Sequence, residues 1–141
     1  MDKVLEIKNI TPETFEGLGV ILEHVSRKDG YEPLVTVKSK GWIWAVLTFS
    51  NKTVDELECH PTSKESFEPV FGTTIILLAK PNEPEKVSAF LLDKPVMLHE
   101  SVWHNIVSLA EVSRVKITEN NEVYADKHKL NGIVRISAML S

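Results

Sequence analysis

The sequence predicts an all-β protein, an antiparallel barrel or a double-sheet jelly roll. Three observations predict it. Apolar and β-branched residues gather in runs of strand length, turn residues separate the runs at regular intervals, and helical periodicity is absent after the first turn-rich stretch. The 141 residues suit one domain, residues 1–141, long enough to bury a sizeable core.

The elements follow in order. Val4, Leu5, Ile7 and Ile10 flank charged residues in a short opening strand. Thr11-Pro12-Glu13 then predicts a short helix: Thr11 can cap free N–H groups, Pro12 suits the first helical position, and Glu13 favours the positive end of the dipole. Gly17 and Gly19 limit that helix to little more than two turns. Gly19 to Val25 reads as a strand, Lys28-Asp29-Gly30 as a turn, and Leu34 to Lys38 as an alternating strand. Gly41 to Phe49 is rich in aromatic and β-branched residues and reads as a strand, ended by the turn Ser50-Asn51-Lys52. Val54 to His60 is another, closed by Pro61.

Val70 to Ala79 reads as one long strand broken by Gly72, followed by a polar loop over Lys80 to Glu85. Val87 to Leu92, Val96 to His99, Trp103 to Leu109, Ser113 to Thr118 and Ile133 to Leu140 complete the set. Trp42 and Trp44 share a face that suits the core or a dimer surface better than a substrate platform. Phe67 and Phe71 read as core, and Lys127-His128-Lys129 as a solvated turn.

Sixteen Lys+Arg against twenty Asp+Glu leave a net charge of -4, which argues against a nucleic-acid partner. The single cysteine, Cys59, cannot form an intramolecular disulfide and reads as an inert, small apolar residue. The start, MDKVLEIKNITPE, has no apolar signal region, and no apolar run approaches the ~18 residues of a membrane span. The expectation is a cytoplasmic protein without a membrane partner.

Among five histidines, His60 and His104 stand out by their company. Glu58 and His60 are two apart on one strand and so share a face, with Cys59 on the other. Glu65 follows after the turn at Pro61. An acid, an imidazole and a second carboxylate make a plausible ligand set for a divalent transition metal, or an acid–base cluster without one.

These residues carry a resemblance. The spacing of Glu58, His60, Glu65 and Gly72 resembles the first cupin motif, with Glu58 where a histidine is usual. Pro95, Ser101 and His104 resemble the second, with Ser101 where glycine is usual and Ser108 where asparagine is usual. Within the cupins, Glu56-Leu57-Glu58-Cys59-His60-Pro61 followed by Ser66-Phe67-Glu68-Pro69-Val70-Phe71-Gly72 resembles the ureidoglycolate lyase family. So do Ser88-Ala89-Phe90-Leu91, Val102-Trp103-His104 and the opening Thr11 to Ile21. The likeness spans roughly residues 8 to 118. The chain departs from that family where Asn105 and Ile106 follow Trp103-His104. It departs again where Leu98-His99-Glu100 and Thr118-Glu119-Asn120 stand in place of arginine-bearing stretches. These departures bear on how a substrate carboxylate would be held rather than on the fold.

The resemblance implies a cupin-like double-stranded β-helix barrel with a short N-terminal helix, forming a homodimer. It implies a carbon–nitrogen lyase that cleaves ureidoglycolate, a small-molecule substrate, to glyoxylate and urea. His60, Glu65 and His104 would be the catalytic residues, and Glu58, His60, Glu65 and His104 the ligands of any divalent metal. Two alternatives stand beside it: a non-catalytic cupin that binds a small molecule, and a metal-dependent cupin enzyme of another reaction class.

Overall fold

A computed structural model describes residues 2–137. Its strands, in chain order, are β1 (Lys3–Leu5), β2 (Ile7–Asn9), β3 (Gly19–Ile21), β4 (Trp42–Phe49), β5 (Thr53–Cys59) and β6 (Glu65–Phe71). They continue with β7 (Thr74–Ala79), β8 (Ser88–Leu91), β9 (Val96–Leu98), β10 (Trp103–Ser108), β11 (Ser113–Asn120) and β12 (Asp126–Ile136). A seven-stranded sheet runs β1-β12-β5-β10-β7-β8-β2, and a five-stranded sheet runs β3-β9-β6-β11-β4. The larger sheet curls until it nearly closes, so the architecture is the jelly-roll β-barrel that the strand pattern predicts. From β5 to β12 the chain alternates between the two sheets, apart from the β7–β8 pair.

The core follows from strand chemistry. β7 is apolar at nearly every position and buried on both faces. Ile76 and Leu78 join Phe15, Phe67, Phe90, Val96, Leu98, Ile106, Val115 and Ile117 between the sheets. Ile75, Leu77 and Ala79, offset by one residue, join Leu57, Ala89, Val107, Leu130 and Val134 in a second cluster on the other face.

Several expectations are corrected. The short N-terminal helix is absent. Thr11 to Leu18 form successive turns, with one i to i+4 bond from Phe15 N–H to Thr11 O at 2.9 Å. The threonine hydroxyls bond locally instead: Thr11 Oγ1 accepts from Thr14 N–H, and Thr14 Oγ1 donates to Asn9 O at 2.6 Å. Gly17, at φ 79°, then turns the chain out of any helical path. The strand from Gly19 ends at Ile21, and Leu34 to Lys38 pairs with no strand among the described residues.

Val70 to Ala79 is two strands in different sheets. Gly72 (φ 78°) makes the corner where a Cβ would meet Val112 O at 2.4 Å. Phe67 is core, but Phe71 is exposed beneath the Arg114 guanidinium. Trp42 and Trp44 are not core; they lie exposed on β4. Lys127-His128-Lys129 is no turn but part of the β12 ladder against β5. The strand expected over Ile133 to Leu140 begins earlier, at Asp126, and residues 138–140 lie outside the described residues. No helix among the described residues is long and apolar enough to cross a membrane.

Candidate metal centre

Ladder register brings the candidate residues together at one end of the inter-sheet space. His104, the second residue of β10, lies level with Glu58 on β5 and with Leu78 of the inner core on β7. Residues directly opposite in an antiparallel pair share a face, so Glu58 and His104 both point between the sheets. Leu57, offset by one, packs into the second apolar cluster. His60 follows β5, where Pro61-Thr62 turns the chain into the facing sheet. Glu65 then opens β6, level with Glu119 on β11.

The turn before β10 has its own chemistry. Ser101 N–H donates to His60 O at 3.0 Å, and Ser101 holds a left-handed φ of 66°. That conformation costs a non-glycine residue on the order of 1–2 kcal/mol. Ser101 stands where glycine is usual in the motif it resembles, and the backbone here gives that preference a reason.

Three side-chain atoms converge. Glu65 Oε1 lies 3.0 Å from His60 Nε2 and 3.0 Å from His104 Nε2. Glu58 Oε2 stands 3.7 Å from His60 Nε2 and 4.0 Å from His104 Nε2. The imidazole centroids are 5.1 Å apart, and Phe67 packs 5.6 Å from the His104 ring. His60, Glu65 and His104 are each 6% exposed, so water cannot readily screen the cluster. Glu119 joins His60 and Glu65 as a group whose donor atoms all lie within 4.8 Å of one another, as do those of Glu58, His60 and His104.

The outer nitrogens fix which atoms face inward. His60 Nδ1 lies 3.0 Å from Tyr124 O, and His104 Nδ1 lies 3.1 Å from Val102 O. A carbonyl only accepts, so each Nδ1 carries the proton, and in the neutral ring each Nε2 presents a lone pair. This is the tautomer and support that metal-binding histidines commonly have. Two lone pairs and an anionic oxygen would then meet in one small space, an arrangement that only a shared cation or added protons make favourable. His60 Nε2 and Glu65 Oε1 are moreover buried and, despite their 3.0 Å separation, not aligned as a hydrogen bond. The donor set of two imidazoles with two or three carboxylates fits a borderline divalent ion.

Protonation reflects the same crowding. The adjoining Glu65 carboxylate, acting against burial, pushes the pKa of His60 up to about 9. Burial pulls Glu65 upward, but the His104 and His60 imidazoles outweigh it and hold Glu65 at about 2. Burial first, and then the Glu65 charge, raise Glu119. Burial also pushes up the thiol of Cys59, which lies buried as expected.

A cavity of about 220 Å³ adjoins the cluster, lined among others by Glu56, Glu58, Glu65, Phe67, His104 and Lys127. Lys127 is the one lysine or arginine of that lining, 3.8 Å from Glu56. Sequence reasoning did not single out Glu119 or Lys127. Alternation on β11 carries the signal for Glu119, since Val115 and Ile117 point inward and the next residue of that parity is Glu119. For Lys127 no local signal exists, because its position rests on the pairing of two strands distant in sequence.

The fold and site together define a jelly-roll β-barrel with a buried histidine–glutamate cluster able to hold a divalent metal between its sheets. No protein-family model matches the chain, and no curated protein matches it either.

Proposed function

We propose that this protein is a metal-dependent cupin enzyme acting on a small polar acid, of the kind that the resemblance to ureidoglycolate lyases implies. The observation that carries the reading is the meeting of His60 Nε2, His104 Nε2 and Glu65 Oε1, with both outer nitrogens held by backbone carbonyls. His60, His104 and Glu65 would hold the metal, with Glu58 or Glu119 completing the set. A bound divalent ion would supply positive charge for a substrate carboxylate and for a developing oxyanion, in a cavity that is otherwise strongly acidic.

The chain's own groups divide the remaining work. Lys127 sits on the cavity wall, where it can hold a substrate's anionic end. With Glu119 completing the metal set, Glu58, partly exposed to the cavity, is placed to take a hydroxyl proton. In a ureidoglycolate-like substrate, that loss turns the hydroxyl carbon into a carbonyl as the C–N bond breaks, and the departing nitrogen takes a proton. Phe67 and Ile117 exclude water from the deep side.

The test has two arms. Metal-free protein is titrated with Mn2+, Co2+, Ni2+ and Zn2+ by calorimetry, and glyoxylate release from racemic ureidoglycolate is followed with and without chelator. The reading expects one ion per chain, and release of half the substrate as glyoxylate that stops on chelation. Ion binding without release would keep the metal site and move the protein to another cupin reaction class. Release indifferent to chelation would favour the metal-free acid–base reading, with the histidine Nε2 atoms as proton carriers. Neither binding nor release would overturn the proposal.

A further inference from the structure

A second cavity, of about 330 Å³, opens where the turns over Thr11 to Leu18 meet the β7-β8-β2 end of the larger sheet. Its size falls within the range of small-molecule sites. It shares no lining residue with the cavity beside the histidine–glutamate cluster. Ladder register still sets it in the same row, since Glu58, His104, Leu78 and Ser88 lie level across β5, β10, β7 and β8. Leu78 and Ser88 line the cavity, so Leu78 stands between it and His104. The floor is apolar and buried, formed by Leu18, Leu78 and Phe90. The rim carries three lysines, Lys8, Lys80 and Lys86, and three glutamates, Glu13, Glu16 and Glu83. Lys86 and Glu83 pair with each other at 2.8 Å, and the other four form no ion pair among the described residues. Lys8 Nζ donates instead to Ser88 Oγ at 3.3 Å. Lys80 is laid across the bare backbone of Gly17, where a Cβ would stand 3.6 Å from its Cε and 3.9 Å from its Nζ.

We propose that this cavity binds a free amino acid with an apolar side chain. Two ammonium groups and two carboxylates line one small space without neutralising one another. A simple anion would meet Glu13 and Glu16 there, and a simple cation would meet Lys8 and Lys80. A zwitterion satisfies both signs: its carboxylate accepts from Lys8 and Lys80, and its ammonium donates to Glu13 or Glu16. Its side chain then rests on the apolar floor, out of water. The charged rim is solvated, so each contact contributes little alone and the dissociation constant should lie near about 1 mM. The inference stands apart from the metal reading, because no candidate metal ligand lines this cavity.

Calorimetry of the full chain with L-leucine, up to about 10 mM and with EDTA present, tests it. The expected result is saturable binding of one leucine per chain. Isocaproate, which lacks the ammonium, and isoamylamine, which lacks the carboxylate, should each bind about 10-fold more weakly or worse. So should glycine, which lacks the apolar side chain. Two double variants, Lys8→Met with Lys80→Met and Glu13→Gln with Glu16→Gln, change exposed positions only. Each should weaken leucine binding by about 10-fold or more, with unchanged far-UV circular dichroism. Lys116→Met, exposed on β11 and outside the cavity, should leave binding intact. Absence of saturable binding would overturn the inference. So would leucine binding that either double variant retains, or isocaproate or isoamylamine binding that matches it.

Discussion

Two histidine–glutamate contacts in this protein look alike by distance and differ in every other respect. In one, His128 Nε2 lies 2.5 Å from Glu85 Oε2 near the surface. Glu85 also receives the Asn131 N–H at 3.4 Å and has the Lys3 ammonium at 3.6 Å. Each group there has a partner, and solvent reaches both. In the other, His60 and His104 converge on Glu65 in a space that all three keep nearly dry. The first contact is complete as a hydrogen-bonded pair, with the Lys3 ammonium beside the carboxylate. The second gathers more electron pairs than its own side chains can satisfy. Short distance alone therefore does not mark a functional cluster; burial and unmatched donor atoms do.

Substitution of the two carboxylates should break the likeness most strongly. Glu65→Gln removes the charge at the convergence point while keeping the shape. It should lower the affinity for Mn2+ or Co2+ by more than the roughly 10–100-fold that the loss of a ligand's outer support costs. Glu85→Gln should leave metal affinity unchanged. Equal affinity in Glu65→Gln and the parent protein, measured by calorimetry, would remove the distinction.

Protons sharpen it next. His60 is raised from its ordinary 6.5 to about 9, so it is protonated at pH 7 in the metal-free chain. A metal can take Nε2 only after that proton leaves. Binding at pH 7 in weak buffer should release about one proton, and affinity should rise about tenfold per pH unit up to about 9. The metal-free chain should also show a pH-dependent stability. The His60 contribution is complete below 6.5 and is lost as pH rises through about 9. The Glu65 contribution is complete above 4.5 and is lost as pH falls through about 2. Thermal melts should therefore peak between those limits, and saturating metal should flatten the alkaline side. A melt that strengthens from pH 7 to pH 9 without metal would contradict this assignment.

The sequence discloses the two clusters unequally, for a physical reason. Glu58, His60 and His104 are legible because strand alternation and a turn at proline are local. Strands β7 to β11 are legible too, since Ile, Val, Leu and Phe run between Gly, Pro and Asp-Lys turns. Strand β6 is not. Glu65-Ser66-Phe67-Glu68-Pro69 carries two charges and a proline, and it is extended because β9 and β11 pair with both its edges. Asp126 to Lys129 is likewise polar throughout, and β5 supplies its ladder. In both cases tertiary pairing overrides local propensity. The helix expected at Thr11 fails in the opposite direction: its starting signals are real, but its hydroxyls and Gly17 use them to close a turn.

The smallest effect lies at the surface pair. His128→Ala removes one partner of Glu85 and a ring that packs 5.8 Å from Trp103. The Asn131 N–H and Lys3 remain beside the carboxylate, so no orphaned charge results. The expected loss in urea denaturation is below about 1 kcal/mol, and it should shrink as salt is added. In the metal-free chain, replacing both His60 and His104 by alanine should cost several-fold more, about 3–5 kcal/mol, because Glu65 would keep its burial and lose both imidazoles. The difference between these two losses reflects burial together with the second imidazole and the two carbonyl bonds that the inner cluster loses. A similar loss at both places would mean that water reaches the inner cluster as freely as the outer, and the case for a shared cation would fall with it.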